Sequence, residues 1–154
     1  MKSRVLSIVA IGATLAAAGA AYAQLNPKEA VGVRINAYRE TGAAFKTIND
    51  QLKSGAPAKI MLRTSARTIS NTARDQYNWF PAGSGAETGL KTKAKAVIWS
   101  DPAGFKAAQD RLAQEAALMS KVVETGDAAA MQKQAKALGQ ACAACHQKYR
   151  QRED

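Results

Sequence analysis

The chain has 154 residues, of which 22 are lysine or arginine and 12 are aspartate or glutamate, so its formal net charge is +10. Its length and its hydrophobic fraction of 47% are those of one small globular domain. No basic cluster is interleaved with aromatic residues, which argues against a nucleic-acid-binding protein despite the positive charge. Most charged residues lie opposite apolar stripes, as expected of solvated helix surfaces.

Residues 1–23 have the three parts of a secretory signal peptide: a positively charged start, an apolar run and a small-residue cleavage site. The start contains Lys2 and Arg4, and the cleavage site is Ala21-Tyr22-Ala23. A retained membrane anchor is the alternative, but the apolar run is short for a spanning helix, which needs about 20 apolar residues. We therefore expect export to a bacterial periplasm.

The expected mature domain covers residues 24–154 and carries 20 basic and 12 acidic residues, a net charge of +8. This charge favours an acidic partner, or else reflects good solubility. No later stretch is apolar enough to predict a membrane span.

A first helix is predicted to begin at Asn26-Pro27, an N-cap followed by proline at the first helical position, and to end at Ser54-Gly55-Ala56-Pro57. Helical spacing places one apolar stripe on the inner face of this helix. Its members are Val31, Ile35, Tyr38, Gly42, Phe45, Ile48 and Leu52.

A second helix is predicted from about residue 57 to 78, with Leu62, Ile69, Ala73 and Tyr77 facing inward. The stretch from Trp79 to about Ser100 contains glycines and no long periodic pattern, so we expect an irregular segment there.

A third helix is predicted to begin at Asp101-Pro102, or at Ser100 just before, and Gly126-Asp127 should end it and begin the fourth. The predicted inner residues of the third helix are Phe105, Ala108, Leu112, Met119 and Val122. Those of the fourth helix are Met131, Ala135, Leu138, Cys142, Cys145 and Tyr149.

No strand pattern appears in the chain, and the helices are amphipathic with mostly short connections. The predicted fold class is therefore all-α, an antiparallel four-helix bundle whose single long loop joins the second and third helices.

The segment Cys142-Ala143-Ala144-Cys145-His146 reads Cys-x-x-Cys-His, the attachment signature of a c-type haem. Two thiols at this spacing add to the two vinyl groups of one porphyrin, and the adjacent imidazole reaches the iron as an axial ligand. The chain contains 2 cysteines and 1 histidine, so no other residue of either kind competes for these roles. Because both cysteines continue the inner stripe of the fourth helix, the haem should pack between helices.

Three other interpretations of the cysteine pair are less favoured. A thioredoxin-like redox pair needs a strand–helix context, which this helical pattern lacks. A structural zinc site usually has four ligands, and only three are available here. A structural disulfide is the third alternative.

A haem motif on the last helix of a helical bundle resembles the cytochrome c′ family, the class II cytochromes c. Further stretches are similar to that family, and the resemblance covers essentially all of residues 25–150. These are Ala30-Val31-x-x-Arg34, Trp79–Ser84, Ile98–Asp101, Phe105 and Cys142–Arg150.

The resemblance implies a role for each matching residue. Cys142 and Cys145 would hold one haem c covalently, with His146 as the proximal iron ligand. Arg34 would lie near the haem propionates, although Ile35 stands where the family commonly has glutamine. Phe80 would pack on the porphyrin. Arg150 would lie over the solvent-facing proximal side, and an ordinary surface arginine is the alternative for both Arg34 and Arg150.

By the same resemblance, the residue over the other face of the iron would be Tyr38, four residues after Arg34. Low-spin members of the class have a ligating methionine there, whereas cytochromes c′ proper have an apolar or aromatic residue. A phenol has a pKa near 10, so a tyrosinate ligand is not expected at neutral pH. We therefore expect five-coordinate, high-spin iron, with Met61 and Met119 as the remaining candidates for an unusual sixth ligand.

These features predict a periplasmic electron-transfer haem protein and not an enzyme. The alternative is a nitric oxide or carbon monoxide binding protein for gas storage or detoxification. A peroxidase is disfavoured because peroxide cleavage usually needs a polar distal acid–base pair. The expected partners are a redox protein, acidic if the charge is a guide, and a small gas ligand; the resemblance also implies a homodimer through the first two helices.

Overall fold

A computed structural model of the protein describes residues 25–152, so the predicted signal peptide and its cleavage site lie outside the described residues. Four long helices form the bundle: Pro27–Lys53, Lys59–Asp75, Pro102–Thr125 and Ala128–Tyr149, called here the first to fourth helices. Short connections make the first and second helices, and likewise the third and fourth, antiparallel neighbours. Over residues 25–152 the only β pairing is an isolated antiparallel bridge between Ala94 and Arg150. The predicted all-α four-helix bundle is confirmed.

The helices begin and end where local chemistry places them. Asn26 and Glu29 form a reciprocal capping box at the start of the first helix. The Asp101 carboxylate accepts a hydrogen bond from the Gly104 N–H at 3.1 Å and begins the third helix. Gly126, with φ of 74°, ends that helix in a left-handed conformation that favours glycine.

The segment between the second and third helices is irregular, as predicted, but contains three short helical turns. Two are 3₁₀ turns at Gln76–Asn78 and Ala86–Thr88, and the third is the one-turn helix Val97–Ser100. The predicted second helix from 57 to 78 is therefore too long by its last turn, which is wound more tightly.

The inner face of the first helix differs from the predicted stripe. Gly42 is exposed, whereas the polar residues Arg34 and Thr41 are buried at 2% and 7% exposure. Thr41 can be buried because its hydroxyl donates a hydrogen bond to the Thr72 hydroxyl at 2.8 Å. Apolar periodicity could not identify this face, since buried polar residues with partners occupy part of it.

The end of the second helix also differs from the prediction in which residue is buried. Tyr77, predicted to face inward, is 41% exposed, and its hydroxyl donates to the Asp110 carboxylate at 2.9 Å. Gln76 is buried instead, at 1% exposure, because the 3₁₀ turn rotates the chain after Asp75. The Gln76 amide donates to the carbonyl oxygens of Ala73 and Gln109, which compensates its burial.

Two apolar clusters stabilise the bundle. The larger one lies between the four long helices and includes Ile48, Leu62, Ile69, Met119 and Leu138. The smaller one, beneath the irregular segment, is built on Ile98, Phe105 and Tyr149, with Phe80, Trp99 and Cys145 packed against it. Within residues 25–152 no helix combines the length and apolarity that crossing a membrane requires.

Substituting alanine at Gly104 should destabilise the protein by about 1–3 kcal/mol, because added atoms overpack a filled site. A Cβ there would overlap the Asp101 carboxylate and lie 2.7 Å from the Tyr149 hydroxyl. The matched control is Gly42→Ala, an exposed mid-helix position with nothing within 4 Å of the new Cβ. It should stabilise by about 0.5–1 kcal/mol through helix propensity. Urea unfolding of both variants measures this, and equal shifts for the two would contradict it.

Candidate haem-binding site

The fourth helix presents both cysteines toward the interior. Cys142 packs against the larger apolar cluster, and Cys145, one turn later, packs against the smaller one. Residues three apart on a helix are neighbours on one face. The two sulfurs therefore lie on one helix face at the boundary between the two clusters, close enough to Tyr38 of the first helix to influence it electrostatically.

Both cysteines are free thiols in partly buried positions. Burial raises the pKa of the Cys142 thiol, and burial together with the neighbouring Cys142 raises the pKa of Cys145 to about 11. Raised pKa values and a helix-interior setting do not fit a thioredoxin-like pair, whose attacking thiol has a lowered pKa. Within residues 25–152 no three side chains of histidine, cysteine, aspartate or glutamate are grouped to hold a metal, which also disfavours zinc.

His146 lies at the surface next to the thiols, where it lines an open cavity of about 340 Å³. The other residues around this cavity are Ala143, Gln147, Arg150, Gln151 and Arg152. Desolvation and the nearby Arg150 cation lower the pKa of His146. The imidazole is consequently neutral at physiological pH, the form in which a ring nitrogen can bind iron.

A continuous row of aromatic rings runs from the first helix to the end of the fourth. Tyr38 makes an edge contact with Trp79 at 5.7 Å between ring centroids and lies 6.4 Å from Phe80. Phe80 meets Phe105 at 4.7 Å, and Phe105 meets Tyr149 at 5.0 Å, both in edge-to-face geometry. Such pairs are attractive beyond their apolar burial. The row gives the site a rigid apolar wall beside Cys145.

Tyr38 is the residue of this wall whose pKa depends on the charge of the two cysteines. Burial raises the pKa of its phenol, and charge on Cys145 or Cys142 would raise it further, whereas Arg34 opposes the shift. Its hydroxyl donates a hydrogen bond to the Gln76 amide oxygen at 3.0 Å. The phenol is therefore neutral, and its one donor is engaged by Gln76.

Arg34 is buried, so the interpretation as an ordinary surface arginine is wrong for this residue. Its guanidinium donates to the Trp79 carbonyl at 3.1 Å, to both the hydroxyl and carbonyl of Ser84, and to the Thr92 hydroxyl at 3.0 Å. It also lies over the Phe80 ring, 4.8 Å from the centroid. Arg34 thus joins the first helix to the irregular segment and supports Phe80.

The structure brings Cys142, Cys145 and the surface residue His146 together on one helix. It places Tyr38 and Phe80 in one aromatic wall. Sequence reasoning missed a set of polar residues that hold this wall, namely Gln76, Ser84 and Thr92. No sequence signal could have identified them, because each is defined by a partner more than 30 residues away.

The donor set fits a haem c. Two thiols on one helix face suit two thioether bonds, and a neutral imidazole on the next residue suits axial ligation. The apolar aromatic wall suits the porphyrin plane, which has apolar faces.

Comparison with known proteins agrees with this chemistry. A family model described as Cytochrome C′ matches residues 29–150. The chain is 30% identical to the cytochrome c′ of Rubrivivax gelatinosus over 82% of its own length and 97% of that protein. It is 33% identical to the cytochrome c′ of Rhodospirillum rubrum, over 81% of its own length and 84% of that protein.

Solved structures carry the same fold. The cytochrome c′ of Thermochromatium tepidum superimposes with a TM-score of 0.79 at 24% identity, covering 84% of this chain and all of that one. A nitric oxide complex of a variant cytochrome c prime from Alcaligenes xylosoxidans gives 0.72 at 23% identity, covering 82% and 98%. A cytochrome c′ described as having ligand-controlled dimer dissociation gives 0.76 at 23% identity, covering 83% and 98%.

Proposed function

The chain belongs to the cytochrome c′ family of haem proteins, which are not enzymes, and on this premise we propose that it transfers electrons in the bacterial periplasm. The covalent haem c of this family would supply a reversible one-electron iron couple. The observation that carries the proposal is the adjacency of Cys142, Cys145 and His146 on one helix that borders a rigid apolar wall.

Each residue has a defined task in this proposal. Cys142 and Cys145 would hold the cofactor covalently, and His146 would provide an imidazole nitrogen to the iron. Phe80, held by the guanidinium of Arg34, excludes water and provides low dielectric around the metal. A site held on helices and by buried hydrogen bonds changes little between oxidation states, which keeps the barrier to electron transfer low.

A second candidate function, binding of nitric oxide or carbon monoxide, is favoured by the surroundings of Tyr38. The phenol stays neutral and bonded to Gln76, so it does not suit the role of a sixth ligand. Met61 is 46% exposed at the start of the second helix, and Met119 is enclosed in the larger apolar cluster. Neither methionine supports an approach to the iron, and a relative solved as a nitric oxide complex makes the gas chemistry sensible.

Optical spectra of the purified protein, ferric and ferrous, with and without nitric oxide, test both candidates. Reversible reduction with a high-spin spectrum and nitric oxide binding would support a five-coordinate site. A six-coordinate low-spin spectrum that is insensitive to carbon monoxide would support electron transfer alone and contradict the assignment of Tyr38. Intact mass should equal residues 24–154 plus one haem; the bare polypeptide mass from a host that matures c-type cytochromes would contradict the cofactor proposal.

Tyr38→Ala should speed carbon monoxide association by about tenfold, equivalent to about 1.4 kcal/mol of activation free energy, because the blocking ring is removed. Tyr38→Phe keeps the ring but loses the hydrogen bond to Gln76, so a smaller increase is expected. The control is Tyr77→Phe, which loses a surface hydrogen bond to Asp110. Flash photolysis measures the rates, and an unchanged rate in Tyr38→Ala would exclude the ring as the barrier.

We also propose a homodimer formed through the first two helices. Val33 and Ile60 are exposed at 38% and 65%, which leaves apolar surface on both helices. A relative with ligand-controlled dimer dissociation makes gas-dependent assembly a sensible corollary. Light scattering with and without carbon monoxide measures the molecular mass directly, and a monomer under both conditions at high micromolar concentration would contradict the dimer.

A further inference from the structure

A strongly basic surface lies beside His146, built from two segments that are distant in sequence. An extended stretch at residues 91–95 runs antiparallel to the end of the fourth helix. Its Lys95 N–H donates to the Tyr149 carbonyl at 3.0 Å, and the Gln151 N–H donates to the Lys93 carbonyl at 2.8 Å. The Ala94–Arg150 bridge lies between these bonds. The two segments therefore form one surface next to the predicted axial ligand.

Alternation along the extended stretch directs its lysines outward. Thr92 bonds to buried Arg34, and Ala94 packs against the smaller apolar cluster, so both face inward. Lys91, Lys93 and Lys95 consequently share the outer side. Arg150 lies opposite Ala94 in the antiparallel bridge, so Arg150 and Arg152 are directed to the other side of this pairing, where they line the cavity beside His146. With Lys148, these cations surround the paired segments, and the group of six is called here the basic face: Lys91, Lys93, Lys95, Lys148, Arg150 and Arg152.

The charge of the basic face exceeds that of nearby acids. Asp101 lies at its edge, where its carboxylate accepts from Lys148 at 2.7 Å. Glu153 and Asp154 follow in the sequence, outside the described residues. Counted by side chains in the sequence, the six cations exceed these three carboxylates by three. The helix dipole accounts for cations near the end of the fourth helix, but not for the lysines of the extended stretch.

We propose that the basic face is the docking surface for a redox partner with an acidic contact surface. This inference rests on the proposed electron-transfer function and locates where the electron leaves. The Lys95 ammonium donates to the carbonyl of Gln147, the residue after His146, at 3.1 Å, so the face adjoins the axial imidazole. Leu90, 42% exposed at its edge, adds the apolar contact that protein interfaces use and that a purely solvated charge cluster lacks.

The test compares two small oxidants of opposite charge on the ferrous holoprotein: hexacyanoferrate(III) and tris(phenanthroline)cobalt(III). Each accepts one electron as the iron becomes ferric, and no bond or proton is exchanged. At 0.1 M ionic strength, Lys91→Glu with Lys95→Glu should slow the anionic oxidant by about tenfold and speed the cationic one, since local charge controls encounter. Lys91→Gln with Lys95→Gln should give about half the effect on a logarithmic scale.

The matched control is Lys133→Glu with Lys136→Glu. It changes the net charge by the same amount, on the helix that contains His146. Both residues are exposed and lie about 15–20 Å along the helix from His146, beyond a Debye length of about 10 Å. Rates should change by less than about twofold. Equal effects of the two charge reversals would overturn the docking surface. Failure of the wild-type protein to exchange electrons with either oxidant would instead overturn the electron-transfer proposal.

Calorimetry with poly-L-glutamate provides a readout that does not depend on redox activity. Binding to the wild-type holoprotein should weaken by about tenfold in the Lys91→Glu, Lys95→Glu variant and remain within about twofold in the control. Vesicles of phosphatidylglycerol, tested in parallel, distinguish a membrane from a protein partner. Binding of vesicles but not of polyglutamate would overturn the proposal of an acidic protein partner.

Discussion

Replacing His146 with alanine is expected to leave the haem covalently attached while removing its axial nitrogen ligand. The proposed thioether bonds to Cys142 and Cys145 would not depend on the imidazole, so the intact mass should differ only by the substituted side chain. The ferric and ferrous spectra should both change, and the reduction potential should shift, because the axial ligand is a principal determinant of the iron's electronics. Spectroelectrochemistry and mass spectrometry measure these outcomes together.

External imidazole provides the matched rescue. The cavity of about 340 Å³ that His146 lines is open to solvent, so free imidazole can enter beside the vacated position. About 10 mM imidazole should restore the wild-type spectrum if binding is millimolar, which corresponds to about 4 kcal/mol. Gln147→Ala, at an exposed neighbour in the same cavity, should leave the spectrum unchanged. A normal spectrum in His146→Ala without imidazole would exclude this residue as the ligand.

The helices could be predicted from sequence because their signals are local. Asn26 and Glu29 reach each other within one helical turn, and Asp101 caps the helix that begins beside it. Gly126 needs only its own left-handed conformation to end a helix. None of these interactions requires knowledge of which helices are neighbours.

The faces of the helices were harder to predict because burial is a tertiary property. Thr41 is buried through its bond to Thr72 on the neighbouring helix, and Gln76 through its bonds to Ala73 and Gln109. A pattern method assigns polar residues to solvent, so it placed Gly42 and Tyr77 inside instead. The error is one position along the helix in each case.

The candidate site divides in the same way. Cys142, Cys145 and His146 could be predicted as haem ligands because their chemistry is encoded in a short run of sequence, whatever surrounds them, and these roles stay predictions. The partners of Arg34 were not, since Trp79, Ser84 and Thr92 become its acceptors only when the irregular segment folds over the first helix. The resemblance to the cytochrome c′ family implies a role for Arg34, but it predicts a contact with the haem propionates and not with the irregular segment. Its observed contacts define a structural task that can be tested by itself.

Arg34→Met should destabilise the protein by about 3–5 kcal/mol, the largest stability effect expected here, because it breaks a buried hydrogen-bond network. The substitution keeps much of the apolar stem but removes four hydrogen bonds, leaving the acceptors on Trp79 and Ser84 without these partners. The Thr92 hydroxyl still accepts from the Ala94 N–H at 3.3 Å. Each buried acceptor without a partner costs about 1–3 kcal/mol, reduced where water can enter. Loss of the cation over Phe80 should also loosen the aromatic wall. Urea unfolding of the holoprotein measures the first effect, and carbon monoxide association measures the second.

Two further variants distinguish the buried hydrogen bonds of Arg34 from the effect of a positive charge alone. Arg39→Met removes an exposed arginine from the same helix and should change stability by no more than about 0.5 kcal/mol. Arg34→Lys keeps the charge but not the planar fork of donors, so it should retain only part of the stability. If Arg34→Lys behaved like wild type, a point charge would suffice, and the geometric connection between the first helix and Ser84 would not be what stabilises the segment. If Arg34→Met and Arg39→Met were equally mild, the buried hydrogen bonds would contribute nothing, and Phe80 would have to be held over the site by aromatic packing alone.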